Sequence, residues 1–336
     1  MNPVERCFIA LANAFPVWVV SGALLALWIP ETALWFKPEW IPYFLGVIML
    51  SMGLTLDWPD FRKALAAPRL LFLGAGLQYL IMPALGLSVS LLFDLPLDFM
   101  IGIVLVACCP GGTASNVVCF IARANVALSV SLTTVSTLLA VILTPLLTTL
   151  LVEPLSEKLT GTALHVDTLG LFLNTFKVVI LPVTIGVALN HFFHPVVKKA
   201  TPYTPLLAVL SIVFIVDFIL AVKKDAIIES GTSLILAILL LHSMGFILGY
   251  SLSRWMKFTN RDAQTVSIEV GMQNSGLATE LARSNFPGFG LATVPGAISA
   301  LTHCILGSLA AGLCRMGQAK PTQRIKNDEG DTSRKF

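Results

Sequence analysis

Charged residues are scarce in this chain. Asp, Glu, Lys and Arg make up 12% of its 336 residues, about half their share in a water-soluble domain. Hydrophobic residues reach 56% and the mean hydropathy is +0.83. A soluble globular fold is thereby excluded, because a core of this size cannot withdraw so much apolar surface from water. The chain also lacks His-Glu-x-x-His, Gly-x-Ser-x-Gly and Gly-x-Gly-Asp sequences, so it is not expected to be an intramembrane enzyme. The six cysteines, Cys7, Cys108, Cys109, Cys119, Cys304 and Cys314, have no metal-ligand spacing. They read as small packing residues rather than a disulfide framework. A net charge of +3 makes no case for nucleic acid. Residues 1–16 do not lead into a short apolar core with a small-residue cleavage site, so no removable signal peptide is expected. Nothing points to an obligate protein partner.

Long apolar stretches are what the sequence does have. A helix crosses the hydrocarbon of a bilayer with about 20 predominantly apolar residues. Stretches at 8–28, 41–52, 70–93, 97–121, 126–152, 170–192, 204–222, 231–253, 263–281 and 292–313 predict an all-α protein of ten transmembrane helices. Orientation follows from Lys and Arg in short loops. With the N-terminus inside, sixteen basic residues fall on the cytoplasmic side. Five (Lys37, Lys158, Lys223, Lys224 and Arg283) fall outside and Lys177 lies within a span, which accounts for all 22. Both termini are therefore expected in the cytoplasm, with the chain in the cell (inner) membrane. Residues 316–336 are polar and mixed in charge and predict a disordered tail.

Two spans are interrupted at corresponding places. The fourth contains Cys108-Cys109-Pro110-Gly111-Gly112-Thr113-Ala114-Ser115-Asn116, and the ninth contains Glu269-Val270-Gly271-Met272-Gln273-Asn274-Ser275-Gly276. Pro110 removes a helix hydrogen bond and the glycines permit non-helical angles. Freed backbone groups are costly in lipid, and paired breaks in two halves of a chain mark the midplane site of a transporter. Five spans per half make the second half an inverted repeat of the first, so the breaks can cross at the bilayer centre. Helices restarting near Ala114 and Gly276 present N–H groups and a positive dipole end to an anion. Oxygens released at the breaks suit a hard cation such as sodium.

At these residues the sequence resembles the bile acid:sodium symporter family, particularly its bacterial members. The match rests on the two break motifs and on the order and lengths of the ten spans, and covers roughly residues 5–315. The resemblance implies a core domain (68–155 and 228–315, helices 3–5 and 8–10) and a panel domain (1–67 and 163–227, helices 1, 2, 6 and 7), with substrate in the cleft between them. It implies two co-transported sodium ions. One maps onto Ser115, Asn116, Ser129, Thr133 and Glu269. The second maps onto Gln78, Glu269, Gln273 and the carbonyls of Val270 and Met272. Oxygen ligands at all these positions agree with the preference of hard cations. The substrate's anionic group is implied near Thr113 and Asn274, with His303 nearby; relatives follow that histidine with Asn, where this chain has Cys304.

The function so implied is sodium-coupled symport of a small or amphipathic organic anion by alternating access. Bile acids, pantoate, a keto acid or a sulfonate are candidate cargoes. A cation/proton antiporter of similar crossed-helix architecture is the alternative. That chemistry favours adjacent carboxylates at a break, where this chain has Glu269. A sensor that binds without moving its ligand is a further reading. Other polar residues carry weaker expectations. Asp217 and Lys177 sit in apolar stretches and either pair across helices 6 and 7 or act apart, Lys177 by snorkelling to an interface and Asp217 as a substrate contact or a cavity-facing structural acid. Asp57-Trp58-Pro59-Asp60 reads as a capped turn. His191 and His194 are loop residues rather than zinc ligands. His242 falls in helix 8 near the position Gln78 holds in helix 3, and reads first as a packing residue.

Overall fold

The structure, a computed structural model, describes residues 3–56, 68–229 and 231–318. Among these residues the elements are helices and turns, with one isolated antiparallel bridge. The helices are α1 (Pro3–Asn13), α2 (Phe15–Trp28), α3 (Ile41–Thr55), α4 (Pro68–Leu92), α5 (Leu97–Cys108), α6 (Ala114–Ile121), α7 (Val126–Thr160) and α8 (Thr168–Phe192). They continue with α9 (His194–Ala200), α10 (Thr204–Val222), α11 (Lys224–Glu229), α12 (Gly231–Trp255), α13 (Asn260–Gly271), α14 (Ser275–Asn285) and α15 (Val294–Gln318).

Six of these helices, α4, α7, α8, α10, α12 and α15, are long and apolar enough to cross a membrane. The pair α1 and α2 would make a seventh, bent by 56° ahead of Pro16. The remaining apolar stretches of the sequence form shorter helices. At a rise of 1.5 Å per residue, α5 with its 12 residues reaches about 18 Å, well short of a hydrocarbon core of about 30 Å. It must act jointly with α6. Helices α13 and α14 are short and polar, which is possible because residues Ala263–Gly271 and Ser275–Ala282 are all buried in protein.

Boundaries move where local chemistry overrides hydropathy. Helix α7 continues past 152, through Pro145 and Pro154, until Gly161 closes it in the left-handed conformation (φ 75°). The middle of α8 takes a π-helical turn at Phe176–Ile180. Helix α15 runs to Gln318, beyond the 315 boundary. The rest of the tail, Arg62, Lys63 and the Asp57-Trp58-Pro59-Asp60 turn lie outside the described residues.

Packing divides the helices by partner. Helix α10 packs on α2 and α3, and α3 on α8; α4, α5, α7, α12, α13, α14 and α15 pack among themselves. Helices α3 and α8 touch backbone to backbone. A Cβ on Gly186 would stand 2.6 Å from the Leu50 carbonyl and 2.8 Å from Gly53 Cα. Large apolar side chains such as Trp28, Phe72, Leu80, Leu150 and Trp255 remain exposed, the surface expected where lipid rather than water is the solvent.

Candidate functional site

The two breaks meet. Gly111 and Gln273 form the isolated antiparallel bridge, Gly112 N donates to Met272 O (2.8 Å), and Asn274 N donates to Pro110 O (2.8 Å). Backbone groups that each helix gives up at its break are thus satisfied by the other, which removes most of the cost of interrupting a helix inside a membrane. Close approach depends on glycine: a Cβ on Gly112 would stand 2.7 Å from the Gln273 carbonyl oxygen.

Around this crossing the structure gathers two polar clusters. In the first, the Glu269 carboxylate, 4% exposed, accepts hydrogen bonds from Ser115 Oγ (2.5 Å), Ser129 Oγ and Thr133 Oγ1 (2.8 Å). Ser129 Oγ also lies 2.8 Å from Asn116 Oδ1. Three helices supply these groups, α6, α7 and α13, and α5 delivers the chain into the break. In the second cluster, Gln78 of α4 donates to Gln273 Oε1 (2.7 Å) and to Cys109 O (3.3 Å), while Gln273 Nε2 donates to Val270 O (2.8 Å). Gln78 Oε1 is buried without a hydrogen-bond partner.

All the residues named for the two cation sets therefore lie at the crossing. Their donor chemistry fits a cation. Glu269 is a buried carboxylate whose partners are neutral hydroxyls; among the described residues the ion pairs involve Glu153 and Glu280 instead. Those hydroxyls can rotate their hydrogens away and turn lone pairs inward. The unpaired Gln78 oxygen is a ready ligand, and the Val270 and Met272 carbonyls each keep a second lone pair.

Beside the crossing lies a cavity of about 210 Å³. Thr113, Asn274 and His303, the residues named for the substrate, all line it, together with Cys304. Its opposite wall comes mainly from α2, α3 and α10 and is mostly apolar, including Phe15, Met52 and Ile212, with Ser51, Thr55 and Thr204 as its polar members. Thr113 is the N-cap residue of α6 but its hydroxyl makes no capping bond, whereas Asn274 Oδ1 caps α14 by accepting from Leu277 N (3.1 Å). The carboxamide N–H groups of Asn274 remain for a ligand. Cys304 Sγ sits 3.7 Å from His303 Nδ1.

Asp217 and Lys177 do not form an ion pair among the described residues. Lys177 sits on the π-helical turn of α8 and is exposed. Asp217 of α10 packs against Gly22 of α2, where a Cβ would collide with its carboxylate, and its Oδ1 has no partner. His191 and His194 are exposed, His194 lying 3.1 Å from Asn190 Oδ1, and no metal-binding group of three His, Cys, Asp or Glu residues occurs among the described residues.

Sequence reasoning missed Ser299. It bonds both His242 Nε2 and Ser275 Oγ at 2.7 Å. A signal was present, since Ser299 and His303 stand four apart in an apolar helix and so share one face. His242 itself is fully buried and bonds the Gly271 carbonyl at the second break (2.8 Å). It mirrors Gln78, which bonds the Cys109 carbonyl at the first.

Crossed helix breaks beside a cavity, with oxygen donors converging on one carboxylate, define a membrane transport protein that handles a cation. The chain belongs to the sodium bile acid symporter family, whose model matches residues 42–230. It is 45% identical over 311 residues to "Probable sodium/metabolite cotransporter BASS1, chloroplastic" of Arabidopsis thaliana, covering 93% of this chain and 75% of that one. It is 38% identical over 310 residues to the rice protein "Probable sodium/metabolite cotransporter BASS2, chloroplastic" (92% and 72%). It is also 37% identical over 312 residues to "Uncharacterized sodium-dependent transporter YocS" of Bacillus subtilis (93% and 94%). The chain is thus a membrane protein of a sodium-dependent transporter family.

Proposed function

We propose that this chain carries two sodium ions and one small or amphipathic organic anion together into the cell. One observation carries the reading. Glu269 is a buried carboxylate with three hydroxyl partners and no cationic side chain among the partners shown, at the crossing of two broken helices. A carboxylate at membrane depth needs a compensating charge. Sodium supplies it, and the oxygen-rich surroundings are what a hard cation takes.

In this reading the chain has ten spans in two inverted repeats of five, with both termini cytoplasmic. Antiparallel pairing of the breaks and the matched roles of Gln78 and His242 support the repeat. Helices α4–α7 and α12–α15 form a core, and α1–α3 with α8–α10 a panel. The cavity lies between these groups. Its lining includes the end of α3 and the start of α10, the ends assigned to the cytoplasm. Toward the other end, Asn174 of α8 donates to Asn285 of α14 (3.0 Å), closing panel against core. That arrangement is the inward-facing member of an alternating-access pair. The cavity wall formed by the core supplies two helix starts for the anion, and the panel supplies a mostly apolar wall for its carbon skeleton.

Gln78→Ala and Ser129→Ala each remove one neutral oxygen from a different sodium set. Each is expected to raise the half-saturating sodium concentration about tenfold, with the Hill coefficient remaining near two. Sodium titration of thermal stability checks this, and a variant that titrates like the parent loses its residue from the ligand set.

Two sodium ions and a monoanion carry net +1 inward. Each charge gains about 2.3 kcal/mol per 100 mV of inside-negative potential. Uptake into proteoliposomes clamped with valinomycin should therefore rise as the interior is made negative. Indifference to the sign of the potential would defeat the two-ion stoichiometry. Uptake driven equally by a proton gradient without sodium would defeat the symport reading.

A further inference from the structure

His303 is the end of a buried chain of hydrogen-bonding groups. It starts at the Gly271 carbonyl and passes through His242 (Nδ1 to Gly271 O 2.8 Å, Nε2 to Ser299 Oγ 2.7 Å), Ser299 and Ser275 (Oγ to Oγ 2.7 Å), reaching His303 Nε2 at 3.2 Å from Ser275 Oγ. Every side chain in it is at most 5% exposed. His303 and Ser275 line the cavity, whereas His242 and Ser299 stand behind it.

The direction of each bond follows from its first member. A carbonyl oxygen can only accept, so His242 Nδ1 carries the proton that faces Gly271. None of the hydrogen-bond partners shown for His242 is an acid, and a second proton would be a buried charge without a counter-charge. Its Nε2 therefore accepts, and the Ser299 hydroxyl donates to it. With its one proton so committed, Ser299 accepts from Ser275. Ser275 in turn accepts from His303, whose proton is thereby fixed on Nε2. Nδ1 of His303 is left as an acceptor whose partner is the Cys304 thiol, a weak donor at 3.7 Å.

We propose that His242, acting through Ser299 and Ser275, is a positioning residue that sets the tautomer of His303 so that it reads a hydrogen-bond donor on the transported anion. An imidazole so fixed presents a lone pair, which repels a carboxylate and pairs with a hydroxyl or amide N–H. The carboxylate is left to the helix starts at Thr113 and Asn274. The cargo class is then an organic anion that carries a donor group near its acid, such as a hydroxy acid. This inference rests on the symport reading of the same cavity.

The test uses the full chain in detergent with saturating sodium chloride. Binding of C4–C6 monocarboxylates and of their 2-hydroxy analogues is measured by calorimetry. The parent protein is expected to favour the hydroxylated member of a pair by about tenfold, the gain from giving that acceptor a hydroxyl donor in place of a long, weak thiol contact. In Ser299→Ala the ratio should fall toward one. Ser275 then has no acceptor at Ser299 and can donate to His303, which frees the other tautomer. His242→Gln should keep the parent ratio, because an amide donates to Gly271 and accepts from Ser299 just as the imidazole does. Should the alanine variant fail to fold, judged by loss of sodium-induced thermal stabilisation, Ser299→Cys, a weak acceptor of similar size, replaces it. A parent that binds both members equally, or a folded Ser299 variant with the parent ratio, overturns the assignment while leaving symport intact. No sodium-dependent binding of any acid in the set overturns the symport reading and this inference with it.

Discussion

Glu269→Gln is expected to abolish the stabilisation of the protein by sodium and, with it, sodium-driven uptake. Glutamine keeps the shape of the side chain and one carbonyl oxygen, which can stay where Ser115 and Ser129 donate, while Thr133 turns its hydroxyl to accept from the amide nitrogen. What disappears is the negative charge shared by both proposed sites. Breaking a buried ion pair by removing one partner costs about 3–5 kcal/mol, roughly a 10²- to 10⁴-fold loss of sodium affinity. Linkage extends the effect to the other ligand. If sodium tightens anion binding by some factor, the anion tightens sodium binding equally, so a variant that cannot hold sodium should also bind the anion weakly. Melting curves with sodium chloride against choline chloride, alongside uptake in proteoliposomes, check both parts. A Glu269→Gln protein with normal sodium dependence would remove the carboxylate from the site.

Gly112→Ala should be as damaging although it changes no ligand. The added Cβ would stand 2.7 Å from the Gln273 carbonyl oxygen and 3.2 Å from its carbon. Both obstacles are backbone and cannot rotate aside. Relief requires the breaks to separate, which costs the Gly112 N to Met272 O bond and displaces Gln273 and Asn274. Over-packing of this kind costs about 1–3 kcal/mol, and here the whole strain falls on the pieces that position both sodium sets and the anion. Loss of sodium and anion binding together is the expected result, read by calorimetry and thermal shift. Gly312→Ala is the control. Its Cβ meets nothing within 4 Å in the exposed part of α15, and alanine is the better helix former by about 1 kcal/mol. Normal sodium binding by Gly112→Ala would mean that the close crossing of the breaks is not needed for the site.

Legibility of this protein varied with the kind of signal. Helix α10 matches its apolar stretch at both ends, because loop residues bound a run without internal punctuation. Helix α7 was misjudged at its end. Glu153 and Pro154 looked like a stop, yet Glu153 accepts from Val166 N and the helix continues to a glycine cap. The short helices at the breaks were legible as interruptions through Pro110 and the glycines. Their hydropathy alone would have hidden α13, whose polar residues face protein and not lipid. Clustering of Ser115, Asn116, Ser129, Thr133 and Glu269 could be anticipated only by resemblance, since the spacing of Glu269 from the others spans half the chain. The chain from His242 to His303 was not anticipated. Each of its members is an ordinary core residue when viewed alone.

The sequence by itself determined that the chain is membrane-embedded and helical. Apolar content, run length and the placement of Lys and Arg are local or additive properties, and a bilayer imposes the rest by forbidding unpaired backbone. It also determined where two helices must break, because proline and glycine act on their own peptide units. Tertiary structure alone decided what those breaks do. Pairing Gly111 with Gln273 joins residues far apart in the chain, and that contact sets which carbonyls are consumed and which stay available. It likewise decided that Asp217 lies against Gly22 rather than beside Lys177, and that His242 reaches a break carbonyl while Ser299 links it to the cavity wall. Such outcomes depend on distances and on the directions in which donors point, and one-dimensional order fixes neither until the helices have packed.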